Sequence, residues 1–112
     1  MQIRVMEALA LEPGEHHVTL HKAQLQRKIT RNGDPYQAVR LEFSDARGGR
    51  AGTFLPEFSR ATLPFLTECG LTLEKLPDLQ LEQLLNMRGV QGIAWVELSG
   101  QYSNVVRFRR CL

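Results

Sequence analysis

Three histidines fall close together, at His16, His17 and His21, and histidine is the commonest metal ligand. Their spacing works against a shared ion. Along an extended strand His17 and His21 stand about 13 Å apart, whereas zinc needs every donor atom within about 2 Å. No metal site and no other cofactor is expected. The carboxylates Asp34, Glu42 and Asp45 are scattered through turns and surface positions, and nothing pairs them as an acid and a base. No nucleophile elbow, phosphate loop or HExxH motif is present. Catalysis therefore has no support in the residues, and the chain is not expected to be an enzyme.

The groups suited to binding are more numerous. Single-stranded nucleic acids are held by aromatic rings that stack on bases and by cations that track phosphates. The candidate rings are Tyr36, Phe54, Trp95 and Tyr102. The candidate cations are Arg27, Lys28, Arg31, Arg40, Arg50, Arg107 and Arg109. Several have a packing alternative. Phe54 fits a core, Trp95 fits beneath a helical insert or at a subunit contact, and Tyr102 fits as a loop anchor.

The net charge of +2 hides a division along the chain. Residues 16–60 carry eight Lys/Arg against four Asp/Glu, and residues 88–112 carry four against one. Residues 1–15 and 61–87 are net acidic, at −2 and −3. A fold that gathers the two basic segments on one surface attracts a polyanion in one orientation. Ordinary solvated charge is the competing reading.

The basic segments also carry the strand patterns. A first strand is predicted from about His17 to Ile29. Val18 and Leu20 share one face, and Leu25 and Ile29 fall on the opposite phase, so a bulge is expected near Lys22-Ala23. Asn32-Gly33 is a hairpin signal. The second strand, Tyr36 to Ser44, places Val39, Leu41 and Phe43 inward and Tyr36, Ala38, Arg40 and Glu42 outward. A short third strand spans Arg50 to Leu55, too short to fix its phase.

A broken helical stretch follows. Thr62 is expected to cap a first helix with Pro64 in its first turn, and Gly70 to end it. A second helix is predicted at Leu81 to Met87. In a fourth strand Val90, Gly92, Ala94, Val96 and Leu98 share one face, opposite Gln91, Ile93, Trp95 and Glu97. In the fifth, Asn104 to Arg110, Val106 and Phe108 share a face opposite Val105, Arg107 and Arg109.

Strand-strand-strand-helix-strand-strand is the order of a five-stranded Greek-key OB-fold barrel with a helical insert between strands 3 and 4. A mostly β protein of this kind is expected over residues 11–112, with residues 1–10 as an N-terminal segment whose Ile3 and Val5 suit an extra strand. Its 112 residues suffice for one core. No apolar run approaches a membrane span, and the N-terminus is too charged for the apolar part of a secretion signal. Cys69 and Cys111 form no CxxC pair, so free thiols and a cytoplasmic location are expected.

Four segments, in order, resemble the family of small phage-type OB-fold single-stranded DNA-binding proteins. Leu11-Glu12-Pro13-Gly14-Glu15-His16 resembles the family's Pro-Gly-x-Tyr opening. Lys28-Ile29-Thr30-Arg31-Asn32-Gly33-Asp34-Pro35-Tyr36 resembles its Lys-x-x-x-Asn-Gly-x-Pro-Tyr hairpin. Leu63-Pro64-Phe65-Leu66-Thr67-Glu68-Cys69-Gly70-Leu71 resembles its helix end. Tyr102-Ser103-Asn104-Val105-Val106-Arg107-Phe108 resembles its closing Tyr-x-Asn-Val-x-x-Phe. Two features depart from the pattern. A histidine stands where an aromatic usually follows the Pro-Gly, and the chain ends Arg109-Arg110-Cys111-Leu112 rather than in an acidic tail. The resemblance implies phage- or plasmid-like DNA replication, recombination or repair.

The expected function is single-stranded DNA binding with little sequence preference. Two alternatives stand beside it. One is an OB-fold protein-interaction module of a replication or recombination complex that binds no nucleic acid. The other is single-stranded RNA binding. A homo-oligomer is expected, a dimer first, through an added N-terminal strand. No membrane partner is expected.

Overall fold

The computed structural model describes residues 10–71, 73–76 and 79–111. The possible extra strand in the N-terminal segment lies outside the described residues. Five strands and two short helices follow in chain order. They are β1 (Gly14–Ile29), β2 (Pro35–Ser44), β3 (Arg50–Pro56), α1 (Thr62–Glu68), α2 (Leu81–Met87), β4 (Gln91–Ser99) and β5 (Tyr102–Arg110). The strands form one sheet whose order, β1-β2-β3-β5-β4, closes on itself. All pairings are antiparallel except β3 with β5, a single parallel bridge between Gly52 and Asn104.

A bulge lets β1 serve two neighbours. The pairing with β2 steps from Leu20 opposite Phe43 to Lys22 opposite Glu42, which leaves His21 as the extra residue. Gly14 to Thr19 pair with β4, Thr19 and Leu20 pair with β2 as well, and the residues beyond the bulge pair with β2 alone. The break falls one residue before the expected position. Beyond it, Leu25 and Ile29 do not reach a core and both are exposed. The end of the β1–β2 hairpin is a solvated arm, so the inward phase there has nothing to pack against.

The hairpin turns where Asn32-Gly33 predicts. Gly33 has φ +87°, its N–H donates to the Thr30 carbonyl, and the Thr30 N–H donates to the Asp34 carbonyl. Glycine supplies that positive φ without a Cβ penalty.

Val39, Leu41 and Phe43 of β2 are fully buried, as their alternation predicts. In β3 the inward set is Ala51, Thr53 and Leu55, which turns Phe54 outward. At the end of the core Phe43 packs 5.0 Å from Phe108, and Phe65 of α1 lies within 6.5 Å of both rings. Thr62 does not cap α1. It lies within the helix, buried, and its hydroxyl donates to the Pro56 carbonyl at 2.6 Å. Gly70 ends the helix with φ +92°, and the Leu71 N–H returns to the Leu66 carbonyl.

β5 departs from the predicted phase. Its register against β4 jumps between Trp95 opposite Arg107 and Val96 opposite Val105. Val106 is the extra residue and is 44% exposed, while Val105 is 1% exposed. A bulge inverts the faces on one side of itself, which is why Val105 and Phe108 are both core. Leu98, expected on the inner face of β4, is exposed where the β4–β5 hairpin leaves the core. No helix among the described residues is long and apolar enough to cross a membrane.

Candidate nucleic-acid interface

Cross-strand pairing decides which side chains meet. Gln24, Arg40 and Phe54 lie in one row across β1, β2 and β3, on the outer face. Lys28 and Tyr36 form a second row toward the hairpin tip. The Lys28 Nζ reaches 5.9 Å from the centre of the Phe54 ring. The arginine spreads toward β3, because a Cβ at Gly52 would stand 4.0 Å from its guanidinium.

The β4–β5 hairpin completes the surface. A groove of about 390 Å³ is lined by Arg40, Gly52 and Phe54 on one side and by Ser99, Tyr102 and Asn104 on the other. Phe54 is 38% exposed and Tyr102 is 70% exposed, large values for rings that gain from burial. Among the described residues, no acid forms an ion pair with Arg40. The groove therefore offers the exposed Tyr102 ring, the Phe54 ring with the Lys28 ammonium 5.9 Å from its centre, one unpaired cation and an amide side chain within one concavity.

Toward the hairpin tip the surface continues into Tyr36. Its ring meets Phe58 edge-on, with centroids 5.1 Å apart. Phe58 is 67% exposed and was not among the sequence candidates, because it sits in the turn after Pro56 where no strand period applies. The turn is anchored on β2 by Glu57. Its backbone N–H donates to the Gln37 carbonyl, and its carboxylate accepts from the Gln37 N–H. These two bonds fix the residue beside Phe58 against β2 next to Tyr36. Arg27 lines a smaller hollow with Tyr36 and Glu57, and Arg31 is exposed at the turn.

The remaining sequence candidates lie elsewhere. Arg50 starts β3 opposite Ser44, four residues from Phe54 and about 13 Å away by strand rise. Trp95, Arg107 and Arg109 occupy the outer face of β4 and β5, beside Glu15 and His17 of β1. The Trp95 ring is half-buried and covered by the Arg107 guanidinium, 4.7 Å from its centre. That cation–π contact occupies the stacking face. Trp95 is thus neither beneath the helices nor part of the groove.

The histidines do separate jobs. The His16 Nε2 bonds the Glu12 carbonyl at 2.7 Å, and His17 pairs with Ile93 in the β1–β4 ladder. His21 occupies the bulge with its Nδ1 buried and unpartnered. Desolvation and the nearby Arg50 hold its pKa below the ordinary 6.5, Glu42 acting weakly the other way. No group of three metal-ligating side chains gathers among the described residues.

No protein-family model matches this sequence, and no curated protein matches it either.

Proposed function

We propose that this chain is an OB-fold protein that binds single-stranded DNA with little sequence preference, stoichiometrically and without a cofactor. The observation that carries this reading is the groove between β3 and the β4–β5 hairpin, where the exposed Tyr102 ring and the Lys28-capped Phe54 ring lie beside the unpaired Arg40. Stacking on exposed rings and neutralising phosphates is how sequence-tolerant single-strand binders work. The closed strand order, with the helices between β3 and β4, supports the OB assignment. In that fold, ligand lies across strands 2 and 3 and the loops joining strands 1–2 and 4–5, and Tyr36, Arg40, Phe54 and Tyr102 occupy those positions. The resemblance of the first hairpin and the closing strand to phage-type single-strand binders favours DNA, in replication, recombination or repair. Self-association belongs to the same reading, with the exposed Leu25 and Ile29 arm as apolar surface to cover.

The test is a fluorescence titration with labelled dT and rU oligomers and a duplex of equal length. Binding of dT above rU and far above duplex is expected. Equal dT and rU affinity moves the reading to single strands generally. No retention of either at low salt removes nucleic acid, and leaves a protein-interaction module. Light scattering at tens of micromolar gives the oligomeric state, with a dimer expected.

A further inference from the structure

A second concavity lies at the other end of the β4–β5 hairpin. The groove touches Ser99 and Tyr102, whereas this cavity touches Gln91 and Arg110. The length of β4 separates them by roughly 25 Å. The cavity, about 770 Å³, is enclosed by the end of α1, by α2 and by the outer ends of β4 and β5.

Its lining has a distinct chemistry. Arg88 and Arg110 supply two guanidinium groups, and neither forms an ion pair among the described residues. None of the described lining residues is acidic or aromatic. Leu71 and Met87 close its floor as part of the core, with little surface left open. The Arg110 guanidinium lies over the backbone at Gly70. A Cβ at Gly70 would collide with that guanidinium at 2.3 Å, and Gly70 is also the positive-φ end of α1. Cys69 is buried on the same wall with its thiol pushed up to about 12, so it is protonated and chemically inert.

We propose that this cavity docks a short acidic peptide segment of a partner protein, with its carboxylates held by Arg88 and Arg110. Charge complementarity selects this occupant. Two guanidinium groups without an ion-pair partner among the described residues match carboxylates, which arginine binds through parallel N–H···O bonds. A nucleic acid strand finds phosphate partners here but no ring for its bases. The site is independent of the groove, so the protein can hold a strand and a partner together.

The test is selection of peptides displayed on phage against the full-length protein, followed by anisotropy titration of the enriched sequences as labelled synthetic peptides. Enrichment of Asp and Glu is expected. Arg88→Ala with Arg110→Ala should lower affinity for those peptides at least tenfold. Both side chains are exposed, and a melt of the variant confirms its fold. Tyr36→Ala and saturating dT oligomer should leave peptide binding within twofold, which separates this site from the groove. No enrichment, enrichment without acids, or peptide binding that survives loss of both arginines overturns the proposal. So does dT that displaces the peptide, because the cavity is then part of a nucleic-acid path.

Discussion

The Lys28 ammonium stands 5.9 Å from the centre of the Phe54 ring, reaching from β1 across β2 to β3. Lys28 is the cross-strand partner of Tyr36, and Phe54 is the partner of Arg40. The diagonal between them crosses Ala38, which points outward by register yet is fully buried. A cation, a ring and a small residue thus form one platform, with Tyr36 at one end and Arg40 at the other.

Alanine at the two ends should therefore weaken binding without unfolding the protein. Tyr36→Ala and Phe54→Ala should each lose about 1–3 kcal/mol of single-strand affinity. Arg40→Ala should lose less, mostly at low salt, because one exposed phosphate contact is screened. Leu41→Ala, directly beneath in the core, should instead lose about 2–5 kcal/mol of stability. A DNA titration and a melt of each variant separate the two effects. If Tyr36→Ala binds like the parent, the ligand face is elsewhere.

The legible parts of this platform were those where a period runs unbroken. β2 alternates from Tyr36 to Phe43, so its outward set followed from the residues alone. Asn32-Gly33 placed the turn because one residue there must take positive φ. Phe54 stayed open because β3 is short, and the structure turned it outward by register with β2. The bulge in β1 was legible to within one residue, because Val18 and Leu20 fall out of phase with Leu25 and Ile29, whereas the one at Val106 shifts phase through the pairing with β4, which no local pattern encodes. The Val106 bulge exchanged the predicted faces of Val105 and Val106. Phe58 escaped notice because a turn has no period. Its place beside Tyr36 depends on Glu57 bonding to Gln37, twenty residues away.

Phe58 gives the second prediction. Phe58→Ala should lower single-strand affinity by about 1–3 kcal/mol and leave the melting temperature almost unchanged, since the ring is largely solvated. Because the Tyr36 and Phe58 rings touch, the double variant should deviate from additivity by about 0.5 kcal/mol or more. A double-mutant cycle on dT affinity measures it. Strict additivity would show that the two rings meet different nucleotides.

Affinity should fall steeply with salt. If about four phosphates are neutralised, the slope of log K against log salt is about −3, and Arg40→Ala should flatten it by about 0.7. Titrations at four salt concentrations give both slopes. A flat response in the parent removes the electrostatic part of the reading.

Stability should depend on pH through His21. Its folded pKa is depressed below 6.5 by desolvation first and by the Arg50 charge second. Well above pH 6.5 the ring is neutral both folded and unfolded, so it contributes no pH dependence there. As pH falls below 6.5 the unfolded chain takes up the proton first, and stability falls until the folded pKa is crossed. His21→Gln should remove this component of the acid-side slope. Urea melts of parent and variant between pH 7.5 and pH 4.5, a range of about three pH units around the histidine value, test it. Parallel curves would show that His21 protonates equally in both states.

Gly92 tests the β4–β5 pairing on which the groove's second wall depends. A Cβ there would stand 2.2 Å from the Arg109 carbonyl oxygen and 2.6 Å from the Phe108 ring. The ring cannot retreat, because it packs 5.0 Å from Phe43 and 6.5 Å from Phe65. The carbonyl belongs to the ladder opposite Ile93, so moving it separates the strands. Gly92→Ala should therefore cost about 3 kcal/mol or more, the upper range for overpacking. Adding Phe108→Leu relieves the ring contact and leaves the carbonyl collision, so the double variant should recover little of the loss. Urea melts of the parent, the single variant and the double variant give the numbers. A Gly92→Ala protein within about 1 kcal/mol of the parent would place the β4–β5 register elsewhere.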